Sequence, residues 1–200
     1  MLDASTEIDT FTDSLQENER GKVDVMNQEK QEMILRIANE DDLDEIFTII
    51  QTVGKEIESK NHELFAYSKN KDTYLHMLRT GICAVAVEGD KIIASLLTRP
   101  EDNKEGILNL TGIPRMTISE TIEFATCEVL EKYRGNKLEQ KLIDFVLAEL
   151  NKSEQYKYAI CTVSPDNKAS LKSVKNSGFA IYTKAKLYGG KTRYVLMKQI

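Results

Sequence analysis

Apolar and polar positions alternate with different periods along the chain, and each change of period predicts an element. Met33-Ile34-Leu35-Arg36-Ile37-Ala38 is a short β-rich run. Asn39 follows as a helix N-cap before Glu40, Asp41 and Asp42, acids suited to the positive end of a helix. Leu43, Ile46, Phe47, Ile50 and Val53 then recur at helical spacing. Tyr74, Met77 and Leu78 mark a second short helix, with Gly81 as its terminator. Two apolar strands, Ile82 to Val87 and Lys91 to Leu97, flank Glu88-Gly89-Asp90, a hairpin signal. From Arg99 to about Thr117 the pattern is irregular, with Pro100 and Pro114 limiting any helix. A loop of that length inside a compact domain is often functional.

The most informative stretch is Thr121 to Leu142, TIEFATCEVLEKYRGNKLEQKL. A buried-strand pattern passes through Tyr133-Arg134-Gly135-Asn136 into an amphipathic helix whose stripe is Leu138, Leu142, Val146 and Leu150. A helix start leaves backbone N–H groups unpaired at the positive end of the macrodipole, so this turn suits a phosphate or pyrophosphate. Neither Gly-x4-Gly-Lys-Ser/Thr nor Gly-x-Gly-x-x-Gly can be laid over Gly135, which removes the commonest nucleotide loops. A further strand, Tyr156 to Val163, leads into Pro165-Asp166-Asn167-Lys168-Ala169-Ser170, a short helix and Gly178-Phe179. The chain closes on a hairpin around Leu187-Tyr188-Gly189-Gly190-Lys191.

Composition narrows the class. The chain has 200 residues, 41% of them hydrophobic, enough for one substantial core. Its net charge of -5 is concentrated before Met33, where Asp3, Glu7, Asp9, Asp13, Glu17, Glu19, Asp24, Glu29 and Glu32 face only Arg20, Lys22 and Lys30. Residues 1–32 therefore read as an acidic, mobile extension, and residues 33–200 as a near-neutral domain. Without a basic stripe or interleaved aromatics, nucleic acid and an anionic membrane are not the expected partners. No apolar run is long enough to span a bilayer and MLDASTEIDT lacks the pattern of a signal peptide, so a cytoplasmic protein is expected. Cys83, Cys127 and Cys161 read as buried thiols, and with His62 and His76 the only histidines, no metal site is expected.

Val129-x4-Arg134-Gly135-x2-Leu138-x3-Leu142 resembles the acetyl-CoA signature of the GCN5-related N-acetyltransferase (GNAT) family. Asn167-x-Ala169-Ser170, seven residues, then Gly178-Phe179 resembles a second marker of that family, and the Glu88-Gly89-Asp90 hairpin adds to the likeness. The resemblance covers about Met33 to Ile200. It implies a single α/β (α+β) domain, a mixed, mostly antiparallel sheet with helices on both faces. It departs from the family at Lys137 and Glu139, where small residues, mostly Gly, are usual.

The resemblance further implies acetyl-CoA as co-substrate and transfer of its acetyl group by direct attack of an amine on a small molecule or peptide. Protein N-terminal or lysine acetylation is one alternative, and a non-catalytic acyl-CoA-binding module another. Oligomeric state is left open, a homodimer among the options. Backbone groups of Cys127, Glu128 and Val129 would meet the pantetheine arm. Amides from Gly135, Asn136, Lys137, Leu138, Glu139 and Gln140 would hold the pyrophosphate, with Arg134 adding its charge unless its side chain points away and only its backbone makes the turn. Asn167 would cap its helix or bond the pantetheine.

The register of Glu123 matches the glutamate base of the histone-acetylating members. Glu128 is the alternative base, and strand alternation points it to the opposite face unless a bulge intervenes. Other members place a glutamate and a tyrosine at the positions of Thr162 and Val174, so both roles are vacant here. Tyr188, or else Ser173, is left as candidate acid. Glu63, Phe65 and Tyr67 lie in a connection that could meet a cationic amine.

Overall fold

Strand β1 (Met33–Ile37) is joined to helix α1 by a capping box that the local sequence specifies. Asn39 Oδ1 accepts the Asp41 N–H at 2.9 Å and the Asp42 carboxylate accepts the Asn39 N–H at 2.9 Å. Asp42 also binds Arg36 through two 2.7 Å bonds, fixing strand to helix. These details come from a computed structural model that describes residues 33–61, 67–101, 106–113 and 115–200. The extension expected over residues 1–32 lies outside them.

α1 (Leu43–Lys60) buries Ile46, Ile49, Ile50 and Val53, and α2 (Lys71–Thr80), capped by Asn70, buries Tyr74, Met77 and Leu78. β2 (Ala84–Glu88) and β3 (Lys91–Pro100) form the hairpin that Glu88-Gly89-Asp90 predicts. β4 (Thr121–Val129), α4 (Leu138–Ser153), β5 (Tyr158–Val163), α5 (Lys168–Asn176), β6 (Ala180–Leu187) and β7 (Lys191–Gln199) complete the domain. The seven strands make one sheet, ordered β1-β2-β3-β4-β5-β7-β6. Every pair is antiparallel except β4 with β5.

One face of the sheet packs α4 and α5 through Leu138, Leu142, Val146, Leu150 and Val174. α1 and α2 cover the first strands on the other. Within the stretch that reads as irregular, the chain forms a short helix α3 (Ile107–Thr111) and a 3-10 segment, Arg115–Glu120. Its cap comes from outside the helix, since the Glu101 carboxylate accepts the N–H groups of Ile107 and Leu108 at 3.0 and 3.3 Å. No capping signal therefore appears beside α3 in the sequence.

Gly81 differs from expectation as well. Its φ is -104°, so it is not a left-handed terminator. A Cβ there would stand 2.0 Å from the Thr98 carbonyl oxygen, so the residue is small because β3 passes against it. Among the described residues, no helix is long and apolar enough to cross a membrane, and no group of three or more His, Cys, Asp or Glu side chains could hold a metal ion.

Candidate active site

β4 and β5 are parallel partners over only four residues, Thr121 to Phe124 against Tyr158 to Cys161. Beyond Phe124 the strands part, and Ala125 to Val129 no longer pair with β5. A cleft of about 1030 Å³ fills the opening. It passes from Leu138, Glu139 and Ser170 on the α4/α5 side to Tyr67, Tyr74 and Met77 on the α1/α2 side.

A bulge in β4 sets which side chains face each end. Thr126 pairs with Leu97 and Phe124 with Thr98, which leaves Ala125 without an opposite residue. Alternation therefore slips by one. Ile122, Phe124, Cys127 and Val129 all pack toward α4 and α5, whereas Glu123 and Glu128 both turn the other way. The simple alternation that separates the two carboxylates does not hold, because the bulge restores them to one face.

Glu123 is 3% exposed, lines the cleft and accepts a bond from Arg99 Nε at 2.6 Å. Arg99 is its neighbour in the β3–β4 register. Tyr188, at a φ of +51°, shares a 3.0 Å hydroxyl contact with Thr162, and Arg193 lies 5.7 Å from its ring centre. Burial of the phenol and the nearby Glu123 charge push its pKa up to about 12. It therefore holds its proton at neutral pH and can donate a hydrogen bond, although it is a weaker acid than a thiol. Thr162 thus meets the tyrosine of the closing hairpin, while Val174 is buried in the core. Ser173 lines the cleft but bonds back to the Ala169 carbonyl at 3.2 Å. Glu63 and Phe65 lie outside the described residues.

Glu128 is fully buried and does not line the cleft. It accepts bonds from Ser95 at 3.2 Å and from Thr126. Burial raises its pKa to about 7. A carboxyl raised on folding keeps its proton at pH values where the unfolded chain has lost one, so its stabilising contribution is present below about pH 4.5 and fades as pH rises through 7. Glu128→Gln should consequently gain stability relative to the parent by on the order of 2 kcal/mol between pH 5 and pH 8. Thermal midpoints of the two proteins at both pH values measure this. A constant difference would show that Glu128 is not protonated in the fold.

The donor end is built around the start of α4. Gly135 (φ +85°) and Lys137 (φ +59°) both adopt left-handed backbone, and the first helical bond is Lys141 N–H to Lys137 O at 3.0 Å. The amides of Leu138, Glu139 and Gln140 thus have no partner in the preceding turn, and no side chain caps them. Lys137 occupies a conformation that costs a non-glycine residue roughly 1 kcal/mol, so the turn keeps its shape without the usual glycine.

Arg134 lines the cleft, but its charge is already paired. Its guanidinium grips Glu56 on α1 at 2.7 and 2.8 Å and its Nε bonds Val129 O at 3.1 Å. Asn136 bonds Tyr133 O at 3.1 Å, and Asn167 caps α5, accepting the Ser170 N–H at 3.2 Å. Cys127, Val129, Gly135, Lys137, Gln140 and Asn167 all line the cleft. The Cys127 thiol is pushed well above its usual range by burial, so it stays a thiol.

Sequence reasoning missed Arg99, Glu56 and Arg193. Arg99 is set opposite Glu123 by the register of β3 on β4, strands separated by some twenty residues and bulged, so no local signal points to it. Nothing local points to Glu56 or Arg193.

Residues 41–179 match the family model described as acetyltransferase (GNAT) family. The chain belongs to the GNAT acetyltransferase family. Membership implies acetyl-CoA-dependent acetyl transfer, and the arrangement fits that donor: unpaired amides for a diphosphate lead into an opening between strands whose free edges can bond an amide-containing arm. No curated protein matches in sequence.

Solved structures share the fold at low identity. A mosquito arylalkylamine N-acetyltransferase like 5b superposes with a TM-score of 0.67 at 16% identity, over 84% of this chain and 100% of its own. A Drosophila melanogaster polyamine N-acetyltransferase gives 0.65 at 12%, over 84% and 100%. A chain of the NatC complex bound to Gag peptide and CoA gives 0.64 at 12%, over 84% and 99%.

Proposed function

We propose that this GNAT protein is an N-acetyltransferase acting on an amine carried by a small molecule or peptide. The observation that supports it is the single cleft that joins the open amides of α4 to Glu123 and Tyr188 through the parted strands. An alkyl amine with a pKa near 10.4 must lose a proton before attack, at a cost of roughly 4 kcal/mol at neutral pH. Glu123 stands where that proton can be taken, directly or through water, with Arg99 as its fixed counter-ion. Acetyl-CoA supplies the activated acyl group. Tyr188, protonated and hydrogen-bonded to Thr162, would steady the departing thiolate with a hydrogen bond, and solvent would supply the proton it finally takes up. The α4 amides and the free edge of β4 orient the donor so that its thioester lies between these two residues.

The structural relatives include proteins named for polyamine and arylalkylamine acetylation and one bound to a peptide, so all three acceptor classes belong in the test. Incubation with acetyl-CoA and a panel of polyamines, arylalkylamines and short peptides should release free thiol with at least one of them. Calorimetry with CoA runs beside it. Absence of CoA binding would remove the proposal. Binding without turnover on any amine would favour an acyl-CoA sensor, a reading supported by Glu123 being tied to Arg99.

A further inference from the structure

Glu139 is the second residue of α4, beside the amides that would receive a diphosphate. Its side chain turns inward. The carboxylate accepts a 2.6 Å bond from Ser170 on α5 and so bridges the donor end of the cleft, which both residues line. Cys127 on β4 and Cys161 on β5, the two strands that part, line the same cleft, so Glu139 shares the space above their opening.

The groups around it are Lys137 on its own turn, Ser170, Ser173 and Lys172 on α5, Cys127 and Glu128 on β4, and Cys161 on β5. None of these is a cation paired with it. Burial raises its pKa, with the serine bonds opposing the rise.

We infer that Glu139 is a proton-operated gate on the donor site: as a carboxylate bonded to Ser170 it opposes a bound diphosphate, and as a neutral acid it admits one. This rests on the acetyl-CoA reading above. Protonation removes the like charge and gives the side chain a donor that can meet a phosphate oxygen, while its other oxygen keeps the Ser170 bond. Donor binding therefore takes up a proton, and donor affinity falls as pH rises.

Dephospho-CoA is the suitable probe, because its diphosphate keeps its charge between about pH 6 and 8.5 while the separate 3′-phosphate of CoA is absent. Calorimetry in buffers of different ionisation enthalpy should show net proton uptake on binding. Affinity should weaken about tenfold or more from pH 6 to 8.5. Glu139→Gln, which keeps the Ser170 bond, should bind about tenfold tighter at pH 8 and lose both the pH dependence and the proton uptake. Pantetheine, which has no diphosphate, should bind parent and variant alike. Glu139→Ala serves as a second variant with the same expectation.

A pH-independent affinity with no gain in either variant overturns the gate while leaving the acetyl-CoA reading intact. No binding of CoA or dephospho-CoA to any of the three proteins overturns both.

Discussion

Glu123→Gln is expected to lower kcat/KM for the acceptor by roughly 10²–10⁴ and to leave CoA binding within a few-fold of the parent. The amide keeps an oxygen for the Arg99 Nε–H, so the fold should survive. Arg99 loses its counter-charge, but its side chain is 29% exposed, so the stability loss should be about 1–3 kcal/mol, not the full penalty of a dry unpaired ion. The diagnostic reading is the pH profile. If Glu123 removes the proton, activity of the variant should climb with pH as solvent deprotonates the amine, approaching the parent at alkaline pH. Undiminished turnover at neutral pH would take the base role from Glu123. The next group to test would then be Glu128, which reaches the cleft through the Thr126 hydroxyl.

Gly81→Ala should be the most damaging small substitution in the domain. The added methyl would meet the Thr98 carbonyl carbon and oxygen at 2.6 and 2.0 Å, backbone atoms of a central strand that cannot swing aside. Overpacking of this kind costs about 3 kcal/mol or more. Thr98 also precedes Arg99, so whatever shift relieves the clash displaces the counter-ion of Glu123. Gly112→Ala supplies the comparison. Gly112 has a φ of +72° and open space around the position of a Cβ, so that change carries only the left-handed penalty of roughly 1–2 kcal/mol. Urea midpoints should rank Gly81→Ala well below Gly112→Ala, and equal midpoints would mean that β3 yields at that point.

What could be read from the sequence was what is encoded locally. The α1 stripe, the Asn39 cap, the Glu88-Gly89-Asp90 hairpin and the strand-turn-helix at Arg134-Gly135 each lie within a few residues of their own signals, and each formed as expected. Features defined by a distant partner could not be read. The bulge at Ala125 exists only relative to β3, so the shared face of Glu123 and Glu128 was hidden. The α3 helix is capped by Glu101 from across a loop. The Arg134 guanidinium is taken up by Glu56, 78 residues earlier, which the turn motif alone does not disclose. Lys137 shows a third kind of loss: the left-handed backbone is retained where the glycine that would announce it is absent. At Gly81 the residue was noticed for the wrong reason, since sequence distinguishes poorly between a glycine chosen for its φ and one chosen for want of room.

The cleft that crosses the sheet is lined by α4 and α5 on one side and by α1 and α2 on the other. Donor and acceptor, as proposed, would occupy opposite ends of it, and neither has to leave before the other arrives. Both can be bound at once, with no acylated form of the protein needed in between. Steady-state rates measured at several fixed donor concentrations should accordingly give reciprocal plots that converge, where a shuttle through an acylated form would give parallel lines.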